Sequence, residues 1–204
     1  MARWNLRDWT AKLSGDCELR AHENRSLQYQ MINGQLVANQ KNSSGGLSAR
    51  MYCDGAWGFA SMPEISLAGA DRVLSQAESN ARVLSKRALK NDHKFAVASA
   101  KGETTLATKK PRISSEDLMG FMNTFDAKIK ARYSEIKSRS LVAIQQEFEK
   151  QLVTTSGANC YAMVARSYIH VTMSMDSANG PVDLRTIFGG AGQFEDTLPS
   201  NDEM

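Results

Sequence analysis

In Leu27-Gln28-Tyr29-Gln30-Met31-Ile32-Asn33-Gly34, apolar side chains fall on every second residue and the run ends on Asn-Gly. Successive side chains of a strand point to opposite faces, so a period of two reads as a half-buried strand, expected here over Glu18 to Ile32. Asn-Gly takes the positive φ of a type I′ turn at little cost and is the strongest short hairpin signal. The chain must then return, and Leu36 to Asn42 is the returning strand. Ser43-Ser44-Gly45-Gly46 reads as a break. Beyond it, Leu47, Ala49, Met51 and Cys53 alternate with Ser48, Arg50 and Tyr52 as a third strand. Asp54-Gly55 makes a second tight turn, and Trp57-Gly58-Phe59-Ala60 opens a fourth strand. The expectation is an antiparallel meander of two hairpins.

After the meander the period changes. Ser61-Met62-Pro63-Glu64 has the form of a capping box, with Ser61 as cap and Glu64 at the third position. A helix is expected from there to about Lys86, burying a stripe of Leu67, Ala70, Leu74, Ala77, Ala81 and Leu84. Residues 87–113 are polar, with Phe95-Ala96-Val97-Ala98 as a short strand candidate and Lys109-Lys110-Pro111-Arg112 as a loop. Ser114-Ser115-Glu116-Asp117 caps a second helix whose stripe is Leu118, Met122, Phe125 and Ile129, ending near Arg132. Towards the N-terminus, Trp4, Leu6, Trp9 and Leu13 suggest a short opening helix stopped at Ser14-Gly15. Past Arg132 the chain reads as sheet. Ile136 to Phe148 favours a strand, and Leu152-Val153-Thr154-Thr155 is another strand core. Ser156-Gly157-Ala158-Asn159 is a turn, and Met163 to Met175 is the plainest strand of all. Gly189-Gly190-Ala191-Gly192 reads as a loop, and Glu195 to Met204 as a frayed tail. The fold class is therefore α+β: a mostly antiparallel sheet from two hairpins and a later three-strand section, with two amphipathic helices packed on one face.

The 204 residues carry 25 basic and 22 acidic side chains, a net charge of +3. That is too even a balance for a nucleic-acid face, and nucleic acid is not an expected partner. No apolar run reaches the ~18 residues a membrane helix needs. Charges near the N-terminus do not suit a signal peptide, and three scattered cysteines do not suit a disulfide framework. A cytoplasmic protein is expected.

Few residues suggest chemistry. Cys160 and His170 could pair as nucleophile and base, but no third group orients them, and a small buried thiol is the simpler reading. His22, His93 and His170 lack the spacing of a metal site. Lys128, Lys130, Arg132, Lys137 and Arg139 form a basic stretch read as a solvated face. The glycine cluster could cradle an anion but lacks the Lys-Ser/Thr of a phosphate loop. Trp57-Gly58-Phe59 beside a tight turn is more unusual, and with Arg50 it marks a possible peptide or partner surface.

The stretch from Gly46 to Ser61, through Arg50, Asp54-Gly55 and Trp57-Gly58-Phe59-Ala60, resembles the N-terminal signature of the TldD/PmbA family, a GxxxRxxxDGxWGFAS-like hairpin leading into a long helix. Gly189-Gly190-Ala191-Gly192-Gln193-Phe194-Glu195 is similar to that family's GGxGxxE segment. The resemblance spans about residues 16–196 and implies the N-terminal domain of a metallopeptidase family, once named modulators of DNA gyrase, that acts on peptides or unfolded segments. It implies homo- or heterodimers with a subunit of the same kind. It also implies zinc held by a helical HExxxH motif in the C-terminal half. That motif does not occur in this chain. The expectation is residues 1–196 as the N-terminal domain, 197–204 as a polar tail and the metal domain absent. No catalytic, cofactor or metal residue is carried over, no cofactor is expected in the chain itself, and activity alone is not expected. The alternatives are a non-catalytic peptide-binding, regulatory or dimerisation module and, behind that, a nucleic-acid-associated protein.

Overall fold

A computed structural model describes residues 4–87 and 98–200. A 3-10 helix, Leu6–Lys12, leads into β1 (Asp16–Ile32), β2 (Gln35–Cys53) and β3 (Ala56–Met62). Helix α1 (Leu67–Ser85), strand β4 (Lys101–Thr105) and helix α2 (Ser115–Arg132) follow, then β5 (Ser138–Thr154), β6 (Asn159–Ser177), β7 (Gly180–Ala191) and the short α3 (Phe194–Thr197). The strands form one seven-stranded sheet in the order β3-β2-β1-β5-β6-β4, with β7 also paired to β6. Pairing is mostly antiparallel, and the fold is α+β with two main helices. The exception is β4, which runs parallel to β6.

Both expected tight turns are present. Asn33 and Gly34 have φ of 50° and 79°, and Asp54 and Gly55 have 47° and 91°, the left-handed values of a type I′ turn. The break expected at Ser43-Ser44-Gly45-Gly46 is not there: β2 runs unbroken through it. A Cβ on Gly45 would lie 2.3 Å from the His22 carbonyl oxygen, and one on Gly46 would lie 2.2 Å from that of Met62. These glycines are where neighbouring backbone comes too close for a side chain, a role that mimics a turn signal in sequence. Gly189 and Gly190 likewise lie inside β7, not in a loop, and at Gly189 the reason is the same: a Cβ there would lie 2.1 Å from the Ser167 carbonyl oxygen. The two strands expected over Ile136 to Phe148 and Leu152 to Thr155 are likewise one, β5, running Ser138–Thr154.

The chain divides into two compact units. Unit 1 holds Met1–Asn24, Ser43–Thr105 and Phe148–Met163; unit 2 holds Arg25–Asn42, Leu106–Glu147 and Val164–Met204. In unit 1, α1 packs Ala70, Val73, Leu74 and Ala77 on Leu19, Leu47, Ala49, Met51 and Ala60. Its cap is Ser66, whose hydroxyl accepts from the Gly69 N–H, and not Ser61, which remains in β3. Ala70, Leu74, Ala77 and Ala81 of the expected stripe are buried, whereas Leu67 and Leu84, at the two ends of the helix, are exposed. Ser61-Met62-Pro63-Glu64 lost to Ser66 because β3 still pairs with β2 through Leu47↔Met62.

In unit 2, α2 buries the expected Leu118, Met122, Phe125 and Ile129 on Tyr29, Met31, Leu141, Ala143, Ile169 and Val171. Ser114 caps it by accepting from the Asp117 N–H. Arg139, expected on a solvated face, is buried. Its Nε and Nη2 donate to both carboxylate oxygens of Asp126 at 2.9 and 3.1 Å. The same residue's backbone pairs with Asn33 in both directions, so the buried ion pair anchors the first hairpin turn. The tail is not frayed at its start, because Glu195 lies in α3 with its carboxylate bonded to Arg112 and to the Ile113 N–H. Strand β4, fully exposed and polar, gave no signal. Residues 95–97 of the other expected strand lie outside the described residues, as do the tail residues 201–204.

Candidate functional site

The site is built on the second hairpin, in unit 1. Its two-residue turn fixes the register as Cys53↔Ala56, Tyr52↔Trp57 and Arg50↔Phe59. Directly opposed residues share a face, so Arg50, Tyr52, Trp57 and Phe59 project together on one side of the hairpin. Met51, Gly58 and Ala60 project to the other side, towards α1. The three residues singled out from the sequence, Arg50, Trp57 and Phe59, are thus brought together. The Arg50 guanidinium lies over the Trp57 ring, 4.7 Å from its centroid, and the Tyr52 ring stands 5.3 Å from Trp57. A cation on an indole face gains from the ring quadrupole. Arg50 Nη2 also donates to Glu18 Oε1 at 2.9 Å. Arg50 Nε and Trp57 Nε1 are buried and have no acceptor among the described residues. Phe59 is 59% exposed.

Two residues of this group escaped sequence reading. Tyr52 could have been found, because the Asp54-Gly55 turn alone sets it against Trp57. Glu18 could not, since it lies at the far end of β1 from the Asn33-Gly34 turn and meets Arg50 only once the long hairpin is paired along its length.

β3 is an edge strand. On its α1 side an open groove of about 530 Å³ is lined by Ala60, Met62, Asp71, Arg72, Val73 and Gln76, among others. Asn80 on α1 donates from Nδ2 to the Phe59 carbonyl at 2.8 Å, holding the edge against the helix. Arg72 reaches Glu64, whose carboxyl is held below its ordinary range by the Ser66 hydroxyl and the Arg72 charge. Gly58 makes the close approach of strand to helix possible: a Cβ there would lie 2.0 Å from the Ala77 carbonyl oxygen. A chain laid along β3 would meet an aromatic, cationic surface on one face and a groove on the other. That suits an extended peptide, whose side chains alternate.

The other candidates give nothing comparable. The Cys160 thiol donates to the Ala100 carbonyl, and His170 belongs to the other unit, its ring beside Tyr168. Cys17 is buried and its thiol is pushed up to about 12 by burial, with Glu18 and Cys53 adding to the shift. The sequence Gly189–Glu195 serves as a polar lock in unit 2. Gln193 and the guanidinium groups of Arg25 and Arg112 converge on Glu147, and Arg112 also holds Glu195. His22 bonds Asn24 within β1, and His93 lies outside the described residues. Among the described residues, no group of three or more His, Cys, Asp and Glu side chains could hold a metal ion. That donor set does not fit zinc.

Residues 17–81, which contain this hairpin and most of α1, match the family profile of PmbA/TldA metallopeptidase domain 1. Those residues are similar to the first domain of TldD/PmbA-type proteins. Three solved structures share the fold over most of the chain. A candidate modulator of a DNA gyrase from Thermotoga maritima has a TM-score of 0.69 at 13% identity, covering 85% of this chain and 39% of its own. A candidate modulator of DNA gyrase from Bacteroides thetaiotaomicron has 0.66 at 12%, covering 94% and 44%. TldE from Thermococcus kodakarensis has 0.62 at 12%, covering 91% and 42%. The chain therefore spans less than half the length of each of these proteins. No curated protein matches it in sequence. Among the described residues, no helix is long and apolar enough to cross a membrane.

Proposed function

We propose that this chain is the scaffold and substrate-chamber part of a TldD/PmbA-like zinc metallopeptidase, working with a partner of the same kind in the cytoplasm. Peptides or unfolded segments dock on the β3 edge, between the Phe59–Trp57–Arg50 face and the α1 groove. The zinc and its hydrolytic chemistry belong to the C-terminal half that the family resemblance implies. The observation that carries the reading is the edge strand flanked on both faces by side-chain recognition surfaces, inside the residues that match the family. Main-chain pairing along an edge gives affinity without sequence demands, and the flanking surfaces select side chains. Three free cysteines support a reducing compartment.

The test is fluorescence anisotropy with labelled unfolded casein peptides and the purified chain. Phe59→Ser, which removes the exposed ring at the centre of the face, is expected to weaken binding about 10-fold. Unchanged affinity in Phe59→Ser and in Arg50→Ala would remove the β3 edge as the docking site. A second reading, a binding or dimerisation module that takes no part in hydrolysis, is favoured by the scattered His and Cys side chains. Stoichiometric zinc and chelator-sensitive peptide cleavage by the purified chain would overturn both the division of labour and this second reading.

A further inference from the structure

We propose that β7 is a homotypic pairing edge: it pairs antiparallel with β7 of a second copy of this chain, about a two-fold axis through Leu184. On one side β7 pairs with β6 from Ser177↔Gly180 to Arg166↔Ala191. β4 uses a different part of β6, Asn159 to Met163, so it does not cover β7. Among the described residues the other edge of β7 has no strand partner. Twelve residues is long for an open edge, and such an edge is a template for another chain unless it is blunted.

Its side chains say which chain fits. Val182, Leu184 and Ile187 are 42%, 51% and 60% exposed, more apolar surface than an edge facing only water calls for. Asp183 and Arg185 share a face and lie 3.8 Å apart, both well exposed. An isologous contact places residue i opposite residue j and j opposite i. With Leu184 on the axis, Asp183 faces Arg185 of the second copy twice over, giving four charges of alternating sign. Leu184 then meets Leu184 and Val182 meets Thr186 on one face, and Ile187 meets Pro181 on the other. Moving the register by one residue would put each side chain opposite one from the wrong face, and moving it by two would set like charges together or leave them unopposed. The strand is complementary to itself and so needs no other sequence.

The inference rests on the like-subunit part of the proposed function and not on peptide docking, which lies on β3. The test uses the full 204-residue chain in sedimentation velocity over a concentration series. A dimer is expected, forming in the range of about 1–100 μM. Asp183→Arg makes all four charges positive and Arg185→Asp makes them all negative. Each is expected to raise the dissociation constant about 10-fold or more, since two symmetry-related pairs turn repulsive. Mixing the two variants should restore a heterodimer, and the double exchange Asp183→Arg/Arg185→Asp should restore the homodimer. Because all these side chains are exposed, circular dichroism should be unchanged. A monomer throughout the series, a dimer indifferent to both reversals, or failure of the mixture to associate would overturn the pairing. Casein-peptide anisotropy on the same variants keeps the two readings apart: the charge reversals are expected to lose association and keep peptide binding, whereas lost association in the parent chain with intact peptide binding overturns β7 pairing alone, and unchanged peptide binding in Phe59→Ser overturns the β3 site alone.

Discussion

Gly58 shows how much one missing side chain can decide. A Cβ there would meet the Ala77 carbonyl oxygen at 2.0 Å and the Ala81 nitrogen at 2.3 Å, both backbone atoms that no rotamer change can move aside. The small residues of α1, Ala77 and Ala81, complete the approach from the helix side. Gly58→Ala is therefore expected to separate β3 from α1 and to destabilise the chain by about 3 kcal/mol in urea denaturation. Gly120 is the opposite case. It lies within α2, and a Cβ there would meet nothing within 4 Å, so its cost is conformational freedom alone. Gly120→Ala should stabilise by about 1 kcal/mol. If the two substitutions shift the midpoint alike, the close contact between β3 and α1 is not what fixes the glycine in the Trp57-Gly58-Phe59 sequence.

At the scale of an element, the start of α1 separates what sequence carries from what it does not. Ser61, at the end of β3, has the capping-box form in sequence, yet the serine that caps α1 is Ser66. Strand pairing holds Ser61 opposite Ser48, and only Ser66 is free to accept from an N–H of the first turn. Ser66→Ala should cost about 1 kcal/mol and Ser61→Ala much less, read as a difference in thermal midpoint. The same competition explains the other departures. Hairpin turns, the stripe of α2 and its Ser114 cap are set by residues within a few positions of each other, and they were legible. The uninterrupted β2 and β7 depend on backbones distant in sequence meeting at Gly45, Gly46 and Gly189, so their glycines looked like loops. Arg139 looked solvated because its partner Asp126 lies on a helix and the turn it supports is at Asn33. For the candidate site, the face of Arg50, Trp57 and Phe59 follows from a two-residue turn, whereas the groove beside it needs α1 to be docked.

At the scale of the molecule, two ionisable groups in different units limit the pH range from opposite ends. Cys17 in unit 1 has its pKa raised from 9.0 to about 12, first by burial and then by Glu18 and Cys53. The native state holds this proton more tightly than the unfolded chain, so its contribution is complete below pH 9 and is lost as the pH climbs towards 12. The loss is about 1.4 kcal/mol for each pH unit in that window. Glu147 in unit 2 moves the other way. Burial alone would raise its pKa, but hydrogen bonds from Gln193 and Arg25 and the charge of Arg112 outweigh it and bring it below 4.5. Its contribution is present above pH 4.5 and is lost as the pH falls through the lowered native value. Comparing each variant with the parent chain at every pH cancels the titration of all other groups. Cys17→Ala should flatten the alkaline limb and leave the acid limb unchanged. Glu147→Gln should leave Arg25 and Arg112 without their shared carboxylate, costing about 3 kcal/mol at neutral pH, and should make the acid limb shallower. Denaturant midpoints measured from pH 3 to pH 11 check both signs at once. An acid limb equally steep in Glu147→Gln would mean that other carboxylates, and not this lock, set the lower limit.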